Sequence, residues 1–534
     1  MVCLLIAFGL QCRNGSFGSG FGSHPDEAGH YVTGLMVYKY VMTSLGTGPM
    51  AFAERFYAHY PVVAFGHWPP LFYILQATWG LLFGLTRTSA LVLVAVLTSL
   101  VSTLLYHAVR TSLGRPYAVL CAVLFPLLPI VQLHTSSVMA EVPLTVFAFA
   151  TALAFASLIA RPTIATAFCF GLCLCSAIYV KGNGWALMAL PFLALVLMRS
   201  LPSLLKKHVW VPMLGALLCC CPMTWATMTM TMDGWERQSF SLPFFYHALP
   251  VLLKFHLTII GLPLLVLACA GAFVTVVRPF AAGSVARGLW ASNFALVVSV
   301  LFFHALVPTT MEPRMLFMSI PSLLMFAAVG LQYTVEFVQR WLPAVRLIRV
   351  TPFVFGAVIA CWYVLHSYSV QHPNMGGVAQ RILDERDLDR TAILVASTQV
   401  NEVAELSFVA EVAAREQGSY RHGVIRAGKF LADSSWGGSD YKLRYSDAAQ
   451  ASAAVRAIPI SAIALYTGEG RSNAHAELVQ QFVSENGDWV CVQSERAAKG
   501  QVVLWASRYR PTKPVRLPEI NLMRKLGRNI SAEF

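Results

Sequence analysis

The chain has 534 residues, of which 57% are hydrophobic and 12% charged, with a net charge of +13. Soluble domains carry about 25% charged residues, so this composition excludes an ordinary soluble enzyme and points to a polytopic membrane protein. The positive excess does not point to nucleic acid, because eleven of the basic residues (Arg110, Arg115, Arg161, Arg199, Lys206, Lys207, Arg278, Arg287, Arg340, Arg346 and Arg349) lie in short connections between apolar runs, the signature of cytoplasmic loops.

The opening apolar segment, residues 1–11, is too short to cross about 30 Å of hydrocarbon. It reads as a truncated helix or as one whose start lies upstream, and no basic stretch precedes it as in a cleaved signal peptide. Residues 12–67 form the first outer loop. A Gly-Ser stretch, Gly15 to Ser23, leads into Ser23-His24-Pro25-Asp26-Glu27, and Tyr31, Leu35, Tyr38 and Val41 follow at helical spacing. On local pattern alone, Ser23 with Asp26 makes a capping box, and the two acids satisfy a helix dipole. A second amphipathic helix after Pro49 carries Phe52, Phe56 and Tyr57, so the two helices form a roof over a cavity at the membrane surface. His67-Trp68-Pro69-Pro70-Leu71-Phe72-Tyr73 then starts a helix sharply, with aromatic rings suited to the interface. Residues 68–86 are placed as a re-entrant or interfacial helix.

Crossings follow at about 88–109, 116–133, 141–160, 163–180, 184–198, 209–228, 249–277, 288–307, 315–338 and 350–368. With the first segment they make eleven. An odd count with the N-terminus inside places the C-terminal region outside, with every basic connection on the cytoplasmic side. The expected architecture is a polytopic α-helical membrane protein of about 11–13 transmembrane helices. Most of the twelve cysteines lie in the apolar segments, as small apolar residues rather than a disulfide framework.

Near residue 370 the composition changes, and eighteen of the 26 acids follow. Apolar runs Ala392–Ala396, Ile460–Tyr466, Trp489–Val492 and Val502–Ala506 read as buried strands, and Asn401–Gln417, Asp447–Ala457 and Asn473–Asn486 as amphipathic helices. The expected domains are therefore 1–370 in the membrane, 371–510 as a small extracytoplasmic α/β domain, and a disordered basic tail at 511–534. No glycine-rich phosphate loop is present.

Eight acids precede residue 375, and this threading puts seven of them on one face: Asp26, Glu27, Glu54, Glu141, Asp233, Glu236 and Glu312, with Glu336 the exception. A charge beside hydrocarbon costs several kcal/mol unless paired or solvated, so this face is the expected site.

Five motifs in order, the acidic pair Asp26-Glu27, HWPPLFY, Glu141 opening a helix, IYVKGNGW and EPRMLFMSIPSLL, resemble those of bacterial GT-C membrane glycosyltransferases. These are related to the protein O-mannosyltransferases and to the lipid A aminoarabinose transferases, and the resemblance covers residues 1–340. It implies the GT-C fold and transfer of one sugar from a polyprenyl-phosphate donor to a lipid, glycan or protein acceptor at the outer face of the bacterial cytoplasmic membrane. Within it, Asp26 is the general base that takes the acceptor proton, and Glu27 positions Asp26 or the sugar. Lys181 and Arg314 clamp the donor phosphate, and His67, Tyr73, Glu141 and Glu312 contact substrate. Arg314 also reads as a loop ion pair with Glu312, and Lys181 as a residue snorkelling to the interface. Relatives carry Asp where this chain has Glu141, and Tyr where Met315 follows Arg314. Neither a cofactor nor a catalytic metal is expected. A transporter or a non-catalytic envelope assembly protein is the rival reading.

Overall fold

A computed structural model describes residues 1–62, 66–231, 242–277, 284–308, 310–341, 347–366, 368–385, 391–415, 422–433, 441–458, 460–468, 473–497, 500–509, 517–522 and 527–531. Asp233 and Glu236 fall outside the described residues.

The N-terminal part is helical. It runs through α1 (Val2–Arg13), α2 (Pro25–Thr43), α3 (Pro49–His59), α4 (Leu71–Phe83), α5 (Arg87–Leu113), α6 (Arg115–Leu127), α7 (Pro129–Thr135), α8 (Glu141–Ala160) and α9 (Ile164–Val180). It continues through α10 (Leu190–Leu197), α11 (Lys207–Thr231), α12 (Leu242–Ile260), α13 (Leu262–Val277), α14 (Ser284–Leu306), α15 (Ile320–Gln339) and α16 (Leu347–Leu365). Among the described residues, six helices are long and apolar enough to cross a membrane, seven if the pair α6 and α7, bent by 60°, is one span; six shorter apolar helices accompany them. The chain is a multi-pass membrane protein.

Several expected crossings are built differently from simple rods. The stretch 249–277 is two helices, because Gly261 at φ +76° breaks it, a conformation that glycine adopts without steric cost. The stretch 184–198 begins as a 3-10 helix, Gly182–Ala189, before α10. Residues 68–86 contain α4, whose 13 residues extend about 20 Å at 1.5 Å per residue, less than the hydrocarbon thickness.

The C-terminal domain carries helices α17 (Gly376–Asp384), α18 (Gln399–Arg415), α19 (Ala427–Phe430), α20 (Ala448–Arg456) and α21 (Ala474–Glu485). Its strands are β1 (Thr391–Ala396), β2 (His422–Arg426), β3 (Ala432–Asp433), β4 (Lys442–Leu443), β5 (Ile460–Gly468), β6 (Trp489–Ala497), β7 (Gly500–Ser507), β8 (Ile520–Leu522) and β9 (Arg528–Ile530). The main sheet has the order β2-β1-β5-β7-β6. Its first three strands are parallel and the last two pairings antiparallel. The basic tail is not featureless: β8 pairs with β9, Leu517 and Ile530 join the core under the sheet, and Arg528 pairs with Glu54 at 2.7 Å.

The two regions share packing. One continuous core runs from the membrane helices into α17, α18 and one face of the sheet, so the segment after residue 370 is not a free linker. Ala58 of α3 joins the core on the other face. The first-loop helices are therefore held between the membrane helices and the α/β domain, rather than lying open as a roof.

Candidate functional site

Four segments distant in sequence meet at one charged cluster: the start of α2, the start of α8, the turn after α9, and residues 312–314 at the start of the 3-10 turn, Pro313–Ser319, that leads into α15. Pro25 occupies the first turn of α2, and His24 caps it by accepting the Asp26 N–H at its Nδ1, 3.1 Å away. That leaves the Asp26 carboxylate for other partners. Arg314 Nη1 lies 3.1 Å from its Oδ2, and His24 Nδ1 lies 3.3 Å from the same oxygen. The capping box expected between Ser23 and Asp26 does not form; Glu27 does that work by reaching back to the N–H groups of Gly22 and Ser23 at 3.0 and 3.1 Å.

Glu141 opens α8, where the helix dipole favours an acid. Its carboxylate is 2% exposed and joins the two cations: Lys181 Nζ at 2.6 Å and Arg314 Nη1 at 3.4 Å, with His134 Nδ1 at 3.9 Å on the other oxygen. Lys181 reaches this place because α9 ends at Val180 and the chain turns back on it. A Cβ on Gly184 would lie 2.5 Å from the carbonyl carbon of Ala177, so KGNGW closes on the last turn of α9 as only glycine allows. Arg314 also donates its Nε to Glu312, which lies 3.5 Å from His24 Nε2. The His24 contact, with the Arg314 charge beside it, holds the Glu312 carboxyl down to about 2 against the opposing effect of burial.

Three carboxylates, Asp26, Glu141 and Glu312, thus face two permanent cations, for a formal charge of −1 with His24 and His134 neutral. Breaking one partner from such a buried set costs roughly 3–5 kcal/mol. The cations are not saturated. Among the described residues Arg314 Nη2 has no acceptor, and Lys181 Nζ has Glu141 alone.

The other expected site residues lie elsewhere. Glu27, fully buried, turns away from Asp26; besides Gly22 and Ser23 it accepts from the Val138 N–H at 3.3 Å and lies 3.5 Å from Arg87. Tyr73 is buried and bonded to His30 Nδ1 at 2.8 Å, behind the cluster. Burial pushes the His30 imidazole down to about 3, so it is neutral at physiological pH. His67 contacts the Trp68 ring edge-on, and Trp68 packs on His30. Met315, which follows Arg314, is buried, and its sulfur accepts from Asn183 at 3.4 Å. Sequence reasoning missed His24, His134 and Arg87. A lone Arg at the edge of an apolar run was the available signal for Arg87, since such charges seek a partner.

Residues 67–225 match the family model of dolichyl-phosphate-mannose-protein mannosyltransferase. No curated protein matches the chain by sequence. Among solved structures, ArnT from Cupriavidus metallidurans bound to undecaprenyl phosphate aligns at a TM-score of 0.50 and 13% identity, over 94% of this chain and 97% of that one. The Archaeoglobus fulgidus oligosaccharyltransferase in complex with zinc and sulfate aligns at 0.54 and 11% identity, over 87% of this chain and 67% of that one. The chain therefore has the GT-C fold of these membrane glycosyltransferases, and its residues 67–225 are similar to the protein O-mannosyltransferases.

Proposed function

We propose that the chain transfers a single sugar from a polyprenyl-phosphate donor to a hydroxyl of a lipid, glycan or protein acceptor, at the outer face of the bacterial cytoplasmic membrane. One observation carries this reading: a mostly buried carboxylate, Asp26, pairs with Arg314, and Glu141 joins Arg314 to Lys181, so that the Arg314 Nη2 hydrogens and the remaining Lys181 ammonium hydrogens stay open to an acceptor. A phosphate at the membrane surface satisfies those donors, and Glu141 holds the two cations side by side for it.

The acceptor oxygen attacks the anomeric carbon as the bond from that carbon to the phosphate oxygen breaks. The acceptor proton goes to Asp26, and polyprenyl phosphate leaves as an anion. An anionic leaving group needs charge stabilisation more than protonation, which is the contribution of a preorganised guanidinium and ammonium in a water-poor site. Glu27 supports Asp26 through the loop backbone rather than by touching it. His67 and Tyr73 border the site through Trp68 and His30, and Glu312 orients Arg314. The ArnT structure that shares this fold has undecaprenyl phosphate bound, a lipid of the class proposed here.

The test is incubation of the purified protein with radiolabelled polyprenyl-phosphate sugars and membrane acceptors. Release of polyprenyl phosphate with label moving to an acceptor is expected. Label that stays on every donor, with protein and acceptors intact, would sink the proposal.

A further inference from the structure

The loop that leads into Asp26, residues 14–24, is gripped from two sides. On the membrane side Arg87 donates through Nη1 to the carbonyls of Ser16 and Ser19, both at 2.7 Å, and its guanidinium lies 5.1 Å from the centre of the Phe21 ring. The same side chain approaches Glu27, which holds Gly22 and Ser23. On the other side the chain entering the α/β domain runs along the loop. Val370 N–H donates to Asn14, Gly20 N–H to His372, and His372 N–H to the Ser19 hydroxyl at 2.8 Å.

Glu411, on α18 of the α/β domain, joins the two grips. Its Oε2 accepts from the backbone N–H of Arg87 at 3.0 Å and from the Tyr31 hydroxyl at 2.8 Å, and Arg415 covers Oε1. Arg87 opens α5 and Tyr31 lies in the second turn of α2, so one carboxylate ties the start of α5 to the helix that carries Asp26; its charge also suits the N-terminus of α5. Phe408 packs on Phe21 with ring centres 5.1 Å apart, and Lys39 donates to the Ala413 carbonyl at 3.3 Å.

We infer that Glu411 is a positioning residue for the proposed transfer, and that the α/β domain is part of the frame that holds Asp26 against Arg314 rather than a separate module. The inference rests on Asp26 as the base. The route is Glu411 to the Arg87 backbone, Arg87 to Glu27 and the loop carbonyls, and the loop to His24 and Asp26. The phosphate-binding side, Lys181, Glu141 and Arg314, comes from other elements and does not depend on it.

The test uses the full chain. Glu411→Leu removes both acceptors; Glu411→Gln keeps a carbonyl oxygen for the same two donors. For Glu411→Leu we expect kcat to fall at least tenfold with donor KM within twofold of wild type. Amide exchange should rise in residues 14–27 while β1 and β5 keep their protection, and Glu411→Gln should restore both readouts. Unchanged kcat and unchanged exchange in residues 14–27, or exchange rising across β1 and β5 together with the loop, overturns the inference. Should Glu411→Leu not fold, Tyr31→Phe removes one donor only: a severalfold drop in kcat with faster loop exchange supports the inference, and wild-type values of both overturn it. The exchange readout needs no turnover, so an inactive wild-type protein whose loop still loosens on substitution sinks the transferase reading and leaves the mechanical link standing.

Discussion

Asp26 is the residue on which the chemistry turns, and its surroundings separate two roles that its position next to Glu27 confuses. The cap of α2 is His24, and the side chain that reaches back over the helix start is Glu27, so Asp26 has no capping duty to lose. Asp26→Asn should therefore keep a carbonyl for Arg314 and melt near the wild-type temperature, while turnover falls about a hundredfold or more for want of a proton acceptor; near-wild-type turnover would remove Asp26 from the mechanism. Arg314→Ala should cost roughly 2–5 kcal/mol in donor use and more than Lys181→Ala, because it also strips a partner from Asp26, Glu141 and Glu312. Donor titrations under single-turnover conditions check the order. The sequence made these charges visible, since few acids interrupt its apolar part. It did not reveal which of two adjacent acids faces the cluster, because neighbours on a helix point about 100° apart and only the packed loop decides which one turns inward. Nor did it single out His24, whose role depends on the chance that a backbone N–H and two carboxylates converge on one ring.

At the scale of elements, long apolar periodicity was the readable signal, and the structure keeps the expected helices of the α/β domain to within a few residues. The misses have local causes. One glycine breaks the stretch 249–277, and β2 is short, with His and Arg at its two ends, so no apolar run announces it. Element α18 holds a further consequence. Glu405 is buried beside Glu402, and burial first, then the neighbouring charge, pushes its carboxyl from 4.5 up to about 8. The folded domain thus holds this proton more tightly than the unfolded chain does. The resulting stability is fully present below about pH 4.5 and is lost as the pH rises toward 8. At about 1.4 kcal/mol per unit, Glu405→Gln should leave the domain more stable at pH 8 by on the order of 4 kcal/mol, and thermal melts between pH 5 and 8 should lose most of their slope. Parallel melting curves for the two proteins across that range would show that Glu405 is already ionised in the fold.

Across the whole molecule, one helix fixes the relation between charge and site. α8 begins at Glu141 in the charged cluster and ends beside Arg161 after 20 residues, about 30 Å at 1.5 Å per residue, which is the hydrocarbon thickness. A bilayer crossed by α8 would separate the carboxylate cluster from the basic connection after it, and Arg199 and Lys206 between α10 and α11, with Lys207 opening α11, repeat the basic pattern. Short basic connections are retained in the cytoplasm, so the proposed function predicts that the cluster lies outside. The α/β domain goes with the cluster, because Glu411 and Lys39 tie α18 directly to the loop helices. The prediction is that a cysteine at Lys442, on exposed strand β4, gains label from a membrane-impermeant thiol reagent in intact cells above that of the parent protein. A cysteine at Lys206, exposed between α10 and α11, should gain label only after the cells are opened. The reverse pattern would invert the molecule, placing the charged cluster and any lipid-linked donor it takes in the cytoplasm; label at both positions in intact cells would mean that the membrane was no barrier and call for repetition in sealed vesicles of known orientation.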